Sequence, residues 1–298
     1  MSIKSITLTL ISQVTTTILL TASVQAAPYH SDEAAIKAVE FAPGIISTPE
    51  NFEINTVFNA QGDKVIFSRC NDDFSHCTLM ESSYKQGQWQ TAESLPFSGE
   101  FLDADPYYNQ DFSQLYFISK RPISSDNLEA DSLNLWRVAL TNNGWQQPEY
   151  LADISSNAAD LYPSITANGD LYFPSFRNDQ RLMYVAKAQG EGFMAPQALS
   201  STMHGSNGSI GDSAVSRDGK SIIFSIKGRS DSQGKGDLYI SYLRDGQWSV
   251  AKSLGNKVNT ADHEFTPIMS PDNNYLFFTR IENGKGNLYQ VKLSTLNL

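Results

Sequence analysis

Histidine occurs only four times in the 298 residues, at positions 30, 76, 204 and 263, and cysteine only twice. The histidines show no metal-ligand spacing, and two thiols are too few for a four-ligand zinc site and lack the Cys-x-x-Cys interval of a redox pair. There is no Gly-x-Ser-x-Gly nucleophile elbow and no phosphate loop. Gly234-Lys235-Gly236-Asp237 and Gly284-Lys285-Gly286-Asn287 are rich in glycine but open no helix, and read as hairpin loops. Basic residues are in deficit: 22 Lys and Arg against 32 Asp and Glu leave a net charge of -10, with no basic cluster able to track a phosphate backbone. Nucleic acid is therefore excluded as the expected partner, and a cationic or neutral one suits the chain better. Beyond residue 26 no apolar run is long enough to cross a bilayer.

Residues 1–26 read as a signal peptide: Lys4, an apolar Thr-rich run from Ile6 to Leu20, then Val24-Gln25-Ala26 with small residues where a signal peptidase reads. The competing reading, a membrane anchor, is opposed by Ser12, Gln13 and Thr15 to Thr17 inside a run already short for a span. No cysteine near the cleavage site could take a lipid. Residues 27–298 are left as one domain, expected in the periplasm or secreted, and in such an oxidising compartment Cys70 and Cys77 are expected to form a disulfide. Closing so short a loop is worth about 2 to 3 kcal/mol by chain entropy.

With 40% hydrophobic residues a large core is possible, and internal repetition says how it is divided. Five segments align: NFEINTVFNAQGDKVIFSR from Asn51, DADPYYNQDFSQLYFISKR from Asp103, DLYPSITANGDLYFPSFR from Asp160, GDSAVSRDGKSIIFSIK from Gly211 and HEFTPIMSPDNNYLFFTR from His263. They start about 50 to 57 residues apart, the spacing of four-stranded propeller blades. Each reads as a strand, a polar turn and a strand rich in Ile, Phe and Tyr. The turns Gln61-Gly62-Asp63, Asn168-Gly169-Asp170, Arg217-Asp218-Gly219 and Asp272-Asn273-Asn274 supply residues that tolerate positive φ. In the second half of four repeats an aromatic residue, Trp89, Trp145, Phe193 or Trp248, is followed six residues later by Leu95, Leu151, Leu199 or Leu254. One such ring per repeat is expected to pack between blades rather than to serve as a sugar-stacking platform.

The fifth repeat ends without an outer strand. Val39 to Ile46 stands ahead of the first repeat as Ala251 to Val258 stands ahead of the fifth, so the N-terminal segment is predicted to pair onto the last blade and close the ring. A short helix is expected between Asp32 and Val39. The fold class is thus all-β, a single propeller of five four-stranded blades closed by an N-terminal strand, with six blades as the alternative.

Ser270-Pro271-Asp272-Asn273, Ser216-Arg217-Asp218-Gly219 and Gly236-Asp237-Leu238-Tyr239 resemble the TolB-like β-propeller repeat, in which a strand is followed by Ser-Pro-Asp-Gly, an aromatic strand and later Asp-Leu-Tyr. The resemblance spans about residues 39 to 298 and is specific for fold; propellers host unrelated activities. It implies a stand-alone exported member, since five repeats fall short of the six blades of the family's namesake and leave no stretch for its additional α/β domain.

First strands line a propeller's channel, so the alignment nominates its site. One aligned position holds Glu53, Asp103, Asp160, Ile210 and Glu264; two residues on, on the same face by strand alternation, lie Asn55, Asp105, Tyr162, Asp212 and Thr266. Recurrence of the first set suggests acids capping a neighbouring turn. The second set varies, which makes Asp105, Tyr162 and Asp212 the stronger ligand-contact candidates, with Asp103, Asp160 and Glu264 behind them. Arg69, Arg121, Arg177 and Arg280 close the second strands and are expected to pair with a neighbouring blade's carboxylate or to bind an anion. His204 and His263 precede first strands in successive blades, which leaves a two-histidine metal site open. The expected function is a non-catalytic, monomeric binding module without cofactor, whose partner is an envelope protein or peptide. The alternative is a carbohydrate-active hydrolase or lyase acting on a glycan at the channel mouth.

Overall fold

The computed structural model describes residues 27–124, 130, 132–205, 208–296 and 298; the expected export signal, residues 1–26, lies outside the described residues. Five antiparallel sheets stand around a common axis as a five-bladed propeller, and there is no α-helix among the described residues. Blade 1 is built on Phe52–Phe58, Lys64–Cys70 and Cys77–Lys85, and blade 2 on Asp103–Tyr108, Gln114–Ser119 and Asn134–Thr141. Blade 3 has a short inner strand, Ser164–Ile165, followed by Leu171–Ser175 and Leu182–Ala186. Blade 4 is Ser209–Val215, Ser221–Lys227 and Asp237–Arg244; blade 5 is His263–Met269, Tyr275–Glu282 and Lys285–Lys292. The outer edges of blades 1 to 4 are two-residue strands, such as Glu93–Ser94 on blade 1 and Lys252–Ser253 on blade 4.

The outer strand of blade 5 is N-terminal. Val39–Glu40 pairs antiparallel with the last long strand, Val39 opposite Gln290 and Glu40 opposite Tyr289, and the Phe41 N–H donates to the Leu288 carbonyl at 2.7 Å. Ser47 extends the seam, its hydroxyl accepting from the Leu288 N–H at 3.0 Å. The helix expected before this strand is a single 3-10 turn, Glu33–Ala35. Phe41 seals the joint: only 2% exposed, its ring lies edge-on to Phe58, Trp89 and Phe277 at 5.3 to 5.6 Å between centroids, so blade 1 and blade 5 share one aromatic cluster.

The other recurring aromatics also sit between blades. Trp248 of blade 4 meets Tyr172 of blade 3, Phe193 of blade 3 meets Tyr116 of blade 2, and Trp145 of blade 2 meets Phe97 on the connection from blade 1. Large rings fill the wedge between diverging sheets that an aliphatic side chain cannot span. The hairpin turns place Gly62, Gly169, Gly219 and Asn273 at positive φ, as their composition predicts. The second repeat has no glycine or asparagine there: Phe112 adopts φ 61° and is covered by the Arg217 guanidinium 4.8 Å above its ring. Cys70 and Cys77 are register partners across the second hairpin of blade 1 and form the disulfide.

Because Phe41 carries contacts from both sides of the closure, Phe41→Ala is expected to destabilise the protein by about 3 to 5 kcal/mol in urea unfolding. Val250→Ala, at a side chain 58% exposed, should stay within about 0.5 kcal/mol.

Candidate functional site

In four blades a buried acid at the entry to the inner strand pairs with an arginine at or just beyond the end of the second strand of the same blade. Antiparallel register sets Glu53 opposite Arg69 and Glu264 opposite Arg280. The ion pairs measure 3.0 Å for Glu53 with Arg69, 2.7 Å for Asp103 with Arg121, 2.8 Å for Asp160 with Arg177 and 2.7 Å for Glu264 with Arg280. Each carboxylate also accepts from the turn leading into its strand: Glu53 from Thr48, Asp103 from the Ser98 hydroxyl, Asp160 from the Ser156 N–H and Glu264 from Thr260. Three of the arginines donate onward to carbonyls of that entry loop, at Phe97, Ile154 and Val258. The arginines thus close on their own blade, not on the neighbouring one that the repeat pattern suggested, because the arginine lies directly opposite the acid in blades 1 and 5 and two residues beyond the facing serine, Ser119 or Ser175, in blades 2 and 3. Asp103, Asp160 and Glu264 are fully buried in these clamps, outside the lining of the channel cavity. Blade 4 replaces the pair as a unit: Ile210 faces Ile226 in the same register.

The second aligned position behaves differently. A β-bulge interrupts the inner strand between Ile54 and Thr56, Ala104 and Tyr107, Ile210 and Ser213, and Phe265 and Ile268. Asn55, Asp105, Tyr162 and Thr266 all lie at positive φ, between 45° and 56°. Strand alternation placed Asp103 and Asp105 on one face; the extra residue of the bulge breaks the two-residue period, so one enters the clamp and the other the channel. The N–H freed by the bulge is caught by a second-strand hydroxyl: Asp105 donates to Ser68 and Asn55 to Thr279, each on the preceding blade, while Asp212 donates to Ser225 of its own. For an aromatic or β-branched residue this conformation costs about 1 to 3 kcal/mol, so Tyr162 and Thr266 store strain at the channel.

These residues form a ring. The Asn55 amide nitrogen donates to Asp105 Oδ1 at 3.2 Å, the Tyr162 N–H to Asp105 Oδ2 at 3.3 Å and the Thr266 N–H to Asp212 Oδ2 at 3.1 Å. Arg181 Nη2 stands 3.7 Å from Asp212 Oδ1. Above the ring lies a cavity of about 340 Å³, open on the face where the inner strands begin, with apolar walls that include Ile54, Leu102, Ile118, Ile210 and Phe265. Asp105, Tyr162, Asp212, Arg181, Lys227 and His263 bring the polar groups into it. Further along the axis the Tyr107 hydroxyl of blade 2 donates across the ring to the Val215 carbonyl of blade 4 at 3.1 Å, and Arg217 reaches the Asn109 carbonyl, which bridges the channel below the cavity.

Burial lifts the Asp105 carboxyl well above the ordinary range, and the charge of Asp212 lifts it further. Asp212 is also raised by burial, but Arg181, Tyr162 and the Thr266 N–H act against the shift. Asp105 is therefore the proton holder of the pair. His263 stacks on Phe265 at 4.8 Å and is pushed down to about 4 by burial and by Lys227 and Lys235, so it is neutral in the cavity wall. His204 ends the 3-10 turn Ser201–His204 and is not among the cavity residues, and no group of three or more His, Cys, Asp or Glu poised for a metal exists among the described residues. Arg181 and Lys227 were not singled out by repeat analysis. Lys227 follows directly on Ile226, which stands where blades 1 and 5 have their clamp arginine, so the loss of the acid–arginine pair in blade 4 was the available signal.

The raised Asp105 pKa has a sign for stability. Relative to the unfolded chain the folded protein binds an extra proton between the ordinary aspartate range and the raised value, so stability falls as pH rises through that window. Asp105→Asn removes the penalty, and its amide can donate to Asn55 Oδ1, a buried oxygen without a partner, once the Asn55 amide turns. The variant is expected to be more stable than the wild type near neutral pH, with the gain shrinking as pH falls toward the ordinary aspartate range in denaturant titrations across pH.

The chain matches no protein-family model and no curated protein by sequence. Its likeness is to solved propellers: TolB from Acinetobacter baumannii, 13% identical with a TM-score of 0.51 over 82% of this chain, and Kuenenia stuttgartiensis hydrazine synthase, 12% identical with a TM-score of 0.51 over 83%. The tricorn protease is similar at 15% identity and a TM-score of 0.47, over 82% of this chain and 22% of its own. The matches cover 55% of the TolB chain and 38% of the hydrazine synthase chain, so this chain spans little more than half of the first and less of the second. What they share with it is the β-propeller fold.

Proposed function

We propose that this protein is an exported binding module of the cell envelope that holds a peptide or protein segment at the channel mouth without turning it over. The observation that carries the reading is a blind cavity with a polar floor and an apolar rim. On the loops between second and third strands of blades 1, 2 and 3, Phe74, Ile123 and Phe176 are 37%, 45% and 41% exposed. Phe74 lines the cavity itself, and Phe176 lies against Arg181, which also lines it. Exposed apolar side chains such as Phe74 and Phe176 beside a concave polar site have the layout of a recognition surface, an anchoring pocket with a rim that a partner covers. The Cys70–Cys77 bridge supports a periplasmic or secreted location, where such bonds persist.

A second reading, a hydrolase or lyase acting on a glycan, is favoured by one feature: two carboxyl groups at the cavity floor whose environments push their proton affinities apart. The two readings separate experimentally. Affinity capture from a native envelope extract is expected to retain a partner on the wild type and to lose it on an Asp105→Asn/Asp212→Asn variant shown by circular dichroism to be folded. Equal capture by both would remove the cavity from the binding site, and consumption of an oligosaccharide by the wild type alone would establish the enzymatic reading.

A further inference from the structure

In the channel cavity the acceptors are spent and the donors are not. Each oxygen of Asp105 and Asp212 has a partner: the Asn55 amide and the Tyr162 N–H on Asp105, the Thr266 N–H and the Arg181 guanidinium on Asp212. The N–H groups of Asn55, Asp105, Tyr162, Asp212 and Thr266 are used as well, on Thr279, Ser68, Asp105, Ser225 and Asp212. Two cations line the same cavity. Arg181, its side chain 23% exposed, makes no hydrogen bond among the described residues: Asp212 Oδ1 lies 3.7 Å from its Nη2, the Phe176 ring lies 5.0 Å from its central carbon, and its Nε is buried with no partner. Lys227, exposed at the opening, gives its ammonium to no ion pair and no hydrogen bond among the described residues. A guanidinium carries five donors and an ammonium three, so what this cavity is short of is acceptors.

We infer that Arg181 and Lys227 receive a carboxylate carried on an apolar body, presented as the C-terminal end of the bound segment or as a free organic acid. This rests on the binding-module reading and names the group its site recognises. The arginine fork matches the flat edge of a carboxylate with two parallel N–H···O bonds, and Lys227 adds a point charge at the mouth. Phosphate and sulfate are held best by a nest of free backbone N–H groups, and here those groups are already committed. The walls formed by Ile54, Leu102, Ile118, Ile210 and Phe265 take the hydrocarbon behind the carboxylate, and a volume of about 340 Å³, at the low end for ligand pockets, matches a single terminal residue. The net charge of -10 does not oppose entry, because in physiological salt charges farther off than about 8 Å are screened while the two cations act at contact. Asp212 is the one ion-pair partner of Arg181 among the described residues, so a variant lacking its charge frees the guanidinium that takes the ligand.

Binding has a pH signature. The groups facing Asp105 are Asn55 and Ser68 of blade 1, Tyr162 and Arg181 of blade 3 and Asp212 of blade 4; burial and the Asp212 charge oppose its ionisation, and Arg181 favours it. While Asp105 holds its proton the cavity sets Arg181 and Lys227 against Asp212 alone; once it is ionised the charges balance. A carboxylate enters more readily in the first state, so its affinity falls as pH rises through the raised Asp105 value, by up to about tenfold per pH unit.

The test is calorimetry on the disulfide-intact mature protein with Nα-acetyl-phenylalanyl-leucine as a chain terminus, 4-methylpentanoate as a free acid, the amide of each as its uncharged counterpart, and inorganic phosphate alone. The expected result is binding of one or both acids at least about tenfold tighter than the matching amide. That preference should disappear in Arg181→Gln, shown by circular dichroism to be folded, and weaken in Lys227→Gln, a change at an exposed side chain. In Asp105→Asn the acids should bind at every pH as they bind the wild type at low pH, without a slope. Tighter binding of the dipeptide assigns a chain terminus, and equal binding of the two acids a free organic acid; either supports the carboxylate. Equal affinity for acid and amide, an acid preference unchanged in both Arg181→Gln and Lys227→Gln, or phosphate binding as tight as that of the acids would overturn the inference. The binding-module reading fails separately. A partner captured by the wild type even after its carboxyl groups are amidated leaves that reading standing and removes the carboxylate. Acid binding with no captured partner does the reverse.

Discussion

In four blades the chain enters the ring with a carboxylate buried against an arginine at or just beyond the end of the neighbouring strand, and the geometry of the centre depends on that clamp. Two ions taken out of water lose several kcal/mol each in hydration, and their attraction repays this only where the remaining hydrogen bonds are also made. Here they are: each acid takes donors from its entry turn, and Arg121, Arg177 and Arg280 return donors to carbonyls of the same loop. Guanidinium faces also lie over Phe117, Phe173 and Phe278 of their own second strands. Such a cluster accepts one register only. A slip of one residue would leave a buried charge unpaired, which costs more than the pair itself contributes.

With the strand start fixed, the bulge two residues later falls at the same depth in every blade that has one, and five unlike side chains arrive at one level of a narrow channel. Straight strands would direct every second side chain inward along the whole length and crowd the axis. The bulge spends one residue to aim a single side chain, and hydroxyls from Ser68 and Thr279 of the preceding blades catch the N–H it frees. Blade 4 shows the consequence of omitting the clamp. Ile210 and Ile226 hold the register by packing, Ile210 becomes cavity wall, and Lys227 is left facing the opening. The asymmetry of the site follows from that one exchange.

The ring itself was legible because it rests on period: repeats of similar length, turn residues with positive φ, and an aromatic ring six residues before a leucine each report a spacing that packing enforces. Closure by Val39–Glu40 was legible for the same reason, since the last repeat lacks an outer strand and the segment before the first supplies one. The bulge was not legible. Asp105 and Thr266 do not look like residues that leave the β region, and Tyr162 even less so, because the conformation is imposed by the ring and not preferred locally. Alternation therefore joined Asp103 to Asp105 where the structure separates them. Arg181 was hidden because it opens the second half of its repeat, where the aligned residues Cys77, Asn134 and Asp237 are not basic, and reaches Asp212 on the next blade, a contact across 31 residues that no pattern within a repeat can report.

Five repeats in one chain place five side chains in nearly equivalent surroundings, which separates scaffold from site without any other sequence. At the clamp, four blades carry an acid with its arginine and the fifth changes both members together, as a packing requirement demands. At the bulge, Asn55, Asp105, Tyr162, Asp212 and Thr266 share a backbone position but not a chemistry. If that position served the scaffold alone, small polar residues or glycine would meet its needs in all five blades at less strain. Two unpaired-prone carboxyl groups and a tyrosine at positive φ are instead held at one level, where burial works against their charge and conformation. A fold that maintains so unfavourable a set at the floor of an open cavity gains stability when something in that cavity satisfies it, and that gain is the binding energy available to a ligand.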